Sequence, residues 1–96
     1  MYLVQVTYTM YPGQREGFLK EVRESGILEA IRREEGCLGY SYYLPEEEHG
    51  TLLLLERWSD VQAQKAHLAT PHMAKMAQFK PKYVASTTLI SCTVDG

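Results

Sequence analysis

The chain of 96 residues contains no asparagine, a single tryptophan, two phenylalanines and two cysteines. So few cysteines cannot build the disulfide framework of a small secreted fold. Cys37 and Cys92 lie far apart, each inside a segment that reads as a strand, and are expected as free, semi-buried thiols. Positive charge is also scarce: Lys and Arg number 10 against 12 Asp and Glu, a formal net charge of -2. Nucleic acid, which selects a basic footprint, is therefore not an expected partner. No apolar run exceeds four residues, as at Leu52 to Leu55, whereas a bilayer-spanning helix takes about 20. Met1 to Met10 alternates like a strand and has no basic-then-apolar leader pattern, so a cytoplasmic protein without a membrane partner is the default.

Apolar residues make up 45% of the chain, enough for one small core, and residues 1–96 are read as a single domain. Tyr2, Val4, Val6, Tyr8 and Met10 share one face of a first strand that ends at "YPG". From about Gln14 the period changes to helical, with Phe18, Val22, Ile27 or Leu28, and Ile31 facing inward. Ser25 and Gly26 interrupt this helix, predicting a kink or two short helices, and Gly36 stops it. Cys37 to Leu44 reads as a second strand with Leu38, Tyr40, Tyr42 and Leu44 on one face. "PEEEHG" makes a solvated turn carrying His49, and Thr51 to Trp58 returns as a third strand. Ser59 and Asp60 cap a helix from Val61 to about Leu68. Thr70 and Pro71 open another, which Pro81 ends, and Tyr83 to Val94 is a last strand.

Strand, helix, strand, strand, helix, strand is the order of a ferredoxin-like split βαβ domain, α+β in class, with helices on one face of an antiparallel sheet. Leu53 and Leu55 lie opposite Leu52 and Leu54, so the third strand is apolar on both sides. No helix remains to cover the second face. A second copy of the sheet would cover it, which predicts a homodimer through that face.

Two of the three histidines, His67 and His72, flank a proline in "HLATPHMAKM". An imidazole there can take a proton from a phenol or an enolisable carbon, and both are candidate catalytic residues. Each could equally be a structural histidine bonded to a backbone carbonyl. Glu56 shares the inward face with Trp58, and a carboxylate in that position needs a hydrogen bond or an ion partner, with His67 a candidate. Trp58 offers a flat apolar wall for a planar ligand. Tyr8, Tyr40, Tyr42 and Tyr43 could orient an aromatic substrate, and Met73, Met76 and Phe79 could floor its cavity; ordinary packing fits the same residues.

Several chemistries lack their parts. The histidines have no cysteine or carboxylate at ligand spacing, so a zinc site is not expected. No Gly-rich phosphate cradle follows the first strand and no serine stands in a nucleophile elbow. No cofactor is expected.

"EEGCLGYSYY", Glu34 to Tyr43, followed by "LLERWSDVQAQKAHLATPHMAKM", Leu54 to Met76, resembles the antibiotic biosynthesis monooxygenase domain, in particular its small quinol-monooxygenase-like members. The resemblance runs from "YPGQREGFL" to the final strand. It implies a homodimer forming a dimeric α+β barrel, with a pocket between helices and sheet in each subunit. It also implies cofactor-free oxygenation of a quinol or other phenolic small molecule by dioxygen, the protein supplying a base, an apolar cavity and positioning. Trp58, His67 and His72 match the strand tryptophan and helix histidines of the quinol-type motif. The haem-degrading and aromatic-polyketide members rely on an asparagine, which this chain lacks. The haem branch also needs a ligand histidine where the chain has Ala77. Alternatives are a sugar-phosphate isomerase, whose phosphate would need Arg57, Lys65, Lys75 or Lys80, and a module that binds a small aromatic molecule without turning it over.

Overall fold

Alternating side chains in β1 (Tyr2–Met10) bury Val4, Val6, Tyr8 and Met10 beneath helices in the computed structural model, which describes residues 1–95. This strand pairs antiparallel with β3 (Thr51–Trp58) on one side and β4 (Val84–Thr93) on the other. Strand β2 (Cys37–Tyr43) joins β3, giving the order β2-β3-β1-β4. Helices α1 (Arg15–Glu24), α2 (Ile27–Arg32), α3 (Val61–Leu68) and α4 (Pro71–Tyr83) complete the ferredoxin-like α+β fold. No helix among the described residues is long and apolar enough to cross a membrane.

The first helical segment divides where the sequence places the break. Gly26, at φ 82°, adopts a left-handed conformation that costs a glycine little, and the chain restarts as α2. Phe18, Val22, Ile27 and Ile31 from the two helices are almost fully buried against Val4, Val6, Leu52 and Leu54 of the sheet. Asp60 caps α3 by accepting from the Ala63 N–H at 2.8 Å. Thr70 caps α4 by accepting from the Met73 N–H at 3.4 Å.

Four expectations need correction. Leu38 does not share the inward face of Tyr40: Cys37 lies opposite Trp58 and Gly39 opposite Arg57, so Leu38 is the extra residue of a β-bulge and is 55% exposed. The bulge turns Cys37 inward against the core. Leu44 lies beyond the end of β2 and is exposed. Pro81 does not end α4, which continues to Tyr83. It sits in the last turn, where its missing N–H forfeits one helical bond and the helix has little length left to disrupt. Cys92 is exposed, not semi-buried, and both cysteines are free. The two stand on strands at opposite sides of the sheet, too far apart to pair.

The second face of the sheet carries Leu3, Leu53 and Leu55, all half-buried, beside exposed Gln5, Tyr43, Ile90 and Cys92.

Candidate functional site

Three segments remote in sequence converge at one end of the sheet. Glu34 stands in the short connection between α2 and β2, held by bonds from its own N–H to Ile31 O and from the Cys37 N–H to its carbonyl. Gly36 closes this connection at φ 84°, and a Cβ there would lie 2.6 Å from the Ala63 Cβ of α3. That close approach brings the Glu34 connection against the helix carrying His67.

His67 occupies the last turn of α3. Its carbonyl accepts from both the N–H and the hydroxyl of Thr70, at 3.2 and 2.8 Å, which folds the chain sharply into α4. Pro71 opens α4, so His72 is delivered back beside His67.

The histidines meet a shared acceptor. Glu34 Oε2 lies 2.8 Å from His67 Nδ1 and 2.7 Å from His72 Nε2. A single carboxylate oxygen accepting from both rings fixes the tautomers: His67 carries its hydrogen on Nδ1 and His72 on Nε2. His67 is 1% exposed, its ring centroid 4.7 Å from the Trp58 ring and 5.6 Å from Tyr40. The side chain of His72 is 22% exposed and that of Glu34 12%. His67 is thus a buried anchor and His72 the member open to solvent. His67 bonds a carboxylate and not the backbone carbonyl that a structural histidine usually takes.

Glu56 does not bond His67. Trp58 Nε1 donates to Glu56 Oε1 at 3.0 Å, the two residues sharing the inward face of β3. Burial raises the Glu56 carboxyl above its ordinary value, while the Trp58 bond and nearby His67 pull it down. Burial, with the Glu56 charge adding to it, drives the Tyr8 phenol well above its usual range. Lys80 Nζ stands 5.4 Å from the Tyr8 ring centroid, and burial lowers its pKa.

Tyr42 raises its own question. Its hydroxyl is sealed from solvent and has no partner of hydrogen-bonding geometry among the described residues, although the Tyr40 ring lies 6.0 Å away, centroid to centroid, and perturbs it. A surface groove of about 200 Å³ between α1, α2 and β2 reaches the Tyr42 side chain, with Arg23 and Arg32 at its rim.

Among the residues expected at a site, His67 and His72 meet at Glu34 and Trp58 stands against His67, with Trp58 and Met76 closed into the core. Tyr8 and Tyr42 line the same sheet face farther along, and both pack against Phe18. Phe79 packs there too, with its ring 6.3 Å from Phe18. Tyr43 is not part of this group. It pairs with Leu53 and projects from the opposite face of the sheet. His49 is exposed. Sequence reasoning missed Glu34, which stands 33 residues from His67 and 38 from His72; only the closing of the fold juxtaposes them.

A sequence profile described as "Antibiotic biosynthesis monooxygenase" matches residues 1–78, which include every residue of this cluster. The chain belongs to the antibiotic biosynthesis monooxygenase family. A Bacillus subtilis (strain 168) relative named "Putative monooxygenase YcnE" is 33% identical over 72 residues, spanning 75% of this chain and 74% of that protein. A crystal structure described as an antibiotic biosynthesis monooxygenase superposes with a TM-score of 0.85 over 100% of both chains at 23% identity. The structure of PA3566 from Pseudomonas aeruginosa gives 0.85 at 21% identity, covering 99% of this chain and 94% of that one. At such identities the structural likenesses speak for the fold alone.

Proposed function

We propose that this antibiotic biosynthesis monooxygenase family member oxygenates a quinol or comparably electron-rich phenol with dioxygen, using His72 as the base. The observation that carries the reading is the Glu34 carboxylate shared by a buried and a solvent-facing histidine. Family membership supplies the reaction class. With its Nε2–H donated to Glu34, His72 keeps the lone pair on its other ring nitrogen, Nδ1, to accept a substrate proton, and Glu34 then stabilises the resulting imidazolium. Deprotonated quinol gives an electron to dioxygen, and a carbon–oxygen bond forms between the two radicals. The O–O bond of the hydroperoxide then breaks, leaving one oxygen on the ring and releasing the other as water, so quinol plus dioxygen becomes hydroxyquinone plus water. Trp58, Tyr8 and Met76 are closed over in the structure. The ring therefore meets His72 first. Tyr43, which projects from the opposite face of the sheet, has no role at this site.

The protein is further proposed to act as a homodimer, its half-buried Leu53 and Leu55 covered by a second copy of the sheet. The catalytic reading is tested by oxygen uptake with a panel of reduced quinols. Uptake above autoxidation, lowered by about 10²-fold or more in His72→Ala, is the expected result. No uptake with any quinol in the panel, or full uptake in that variant, refutes it.

A further inference from the structure

We propose that Glu34, His67 and His72 also form a binding site for a divalent cation of borderline softness, of the zinc or cobalt class, and that occupancy silences the site. One ligand atom from each residue lies within 4.8 Å of the other two. Two imidazole nitrogens and one carboxylate oxygen suit such ions better than magnesium or calcium, which favour all-oxygen sets. Ligand atoms around a tetrahedral zinc ion stand about 3.3 Å apart, from metal–ligand distances of about 2.0–2.2 Å. The present separations of 2.8 and 2.7 Å are hydrogen bonds, so the carboxylate must withdraw by about 0.5 Å from each ring to reach that spacing.

The frame around the three residues favours a defined site. His67 is held between Trp58 and Tyr40, and Thr70 and Pro71 set the turn that delivers His72. Glu34 and His72 remain partly exposed, which leaves a route for the ion and a solvent-facing position for a further ligand. Each ring moves its hydrogen to its other nitrogen when its present donor becomes a ligand, so binding to neutral imidazoles requires no net proton release. Both ring nitrogens of His72 are then occupied, Nε2 by the ion and Nδ1 by the displaced hydrogen, so neither can abstract a proton. This silencing rests on the reading of His72 as the base; the binding site does not.

The experiment titrates chelator-treated protein with cobalt(II), following its visible absorption band, and displaces the cobalt with zinc. One ion per chain is expected. Glu34→Gln and His72→Ala, both checked for native circular dichroism, should each weaken binding by more than about 100-fold, beyond the loss from removing an outer-shell partner. His49→Ala should bind as the parent does. Absence of binding at millimolar cobalt, or binding unchanged in the Glu34 and His72 variants, overturns the site. In parallel, zinc should abolish quinol-dependent oxygen uptake and a chelator restore it. Stoichiometric binding with undiminished uptake overturns the silencing. Binding lost in the two variants, with no uptake in any metal-free sample, keeps the ion site, overturns the silencing and refutes the oxygenase reading.

Discussion

Replacing Glu34 by alanine tests the arrangement most directly, because it removes one acceptor from two rings in unequal surroundings. His72 is partly exposed and can turn its N–H to water, so its loss is small. His67 is sealed and keeps an Nδ1–H with no acceptor. An orphaned buried donor costs about 1–3 kcal/mol. That is a large share of the total for a domain whose stability is on the order of 5–15 kcal/mol. For a chain of this length the melting temperature should fall by on the order of 10 °C. Glu34→Gln keeps an oxygen that can accept from both rings but loses the charge, and should cost about 1 kcal/mol. Urea unfolding followed by tryptophan fluorescence is the assay of choice, since Trp58 is the single tryptophan and its ring touches His67. His67→Ala provides the control: with the donor gone, the Glu34→Ala change should lose at least about 1 kcal/mol of its effect, a coupling expected for groups in contact. Glu34→Ala within about 0.5 kcal/mol of the parent would refute the shared-acceptor geometry, being the scatter of an ordinary surface change. So would a glutamine variant that costs more than the alanine one.

Glu56 makes a prediction in pH. Burial, the largest influence on it, raises its carboxyl above the ordinary 4.5. The folded state therefore holds a proton that the unfolded chain releases, and the parent loses stability as pH rises from 4.5 to the higher folded value, then no further. Glu56→Gln keeps an acceptor for Trp58 Nε1 and should lack this decline, so its urea midpoint gains on the parent across that window; parallel midpoints from about pH 4 to about pH 8 would contradict the shift. Leu53→Asp should convert a species of twice 11.0 kDa into a monomer or an unfolded chain by light scattering, since it places a charge in a covered apolar face; a parent mass of 11.0 kDa at micromolar concentration would remove the dimer.

What the sequence made legible follows the range of the forces involved. The period-two pattern in β1 and β3 placed Val4, Val6, Leu52 and Leu54 inward and put Glu56 beside Trp58, because alternation is a local property of an unbroken strand. The caps at Asp60 and Thr70 were equally local. The same rule failed at Leu38, where the bulge inserts a residue and reverses the parity before it. A bulge is a feature of two paired strands, and nothing in "CLGYSYY" alone announces it. Glu34 was hidden for a related reason: metal-ligand and acid–base spacings within one segment cannot show a partner supplied by another segment. The signal available was indirect, a glycine two residues beyond it whose φ of 84° and close contact with Ala63 draw that connection onto α3. Tyr43 could have been set aside from parity, since its neighbour Tyr42 already faced the helices.

The bulge at Leu38 has a bearing on how this small sheet avoids its own kind of accident. β2 is an outermost strand, and an outermost strand offers unpaired backbone groups on which another chain can continue the ladder. Here the Tyr40 carbonyl is already taken by Arg32 Nε at 3.0 Å. The inserted residue breaks the regular repeat just before it, twisting the strand's rim out of line with any straight incoming partner. A foreign strand must displace a charged side chain and then match a ladder with one residue too many. Runaway stacking from that rim is therefore obstructed in the folded chain, and the same inserted residue that turns Cys37 toward Trp58 guards against aggregation.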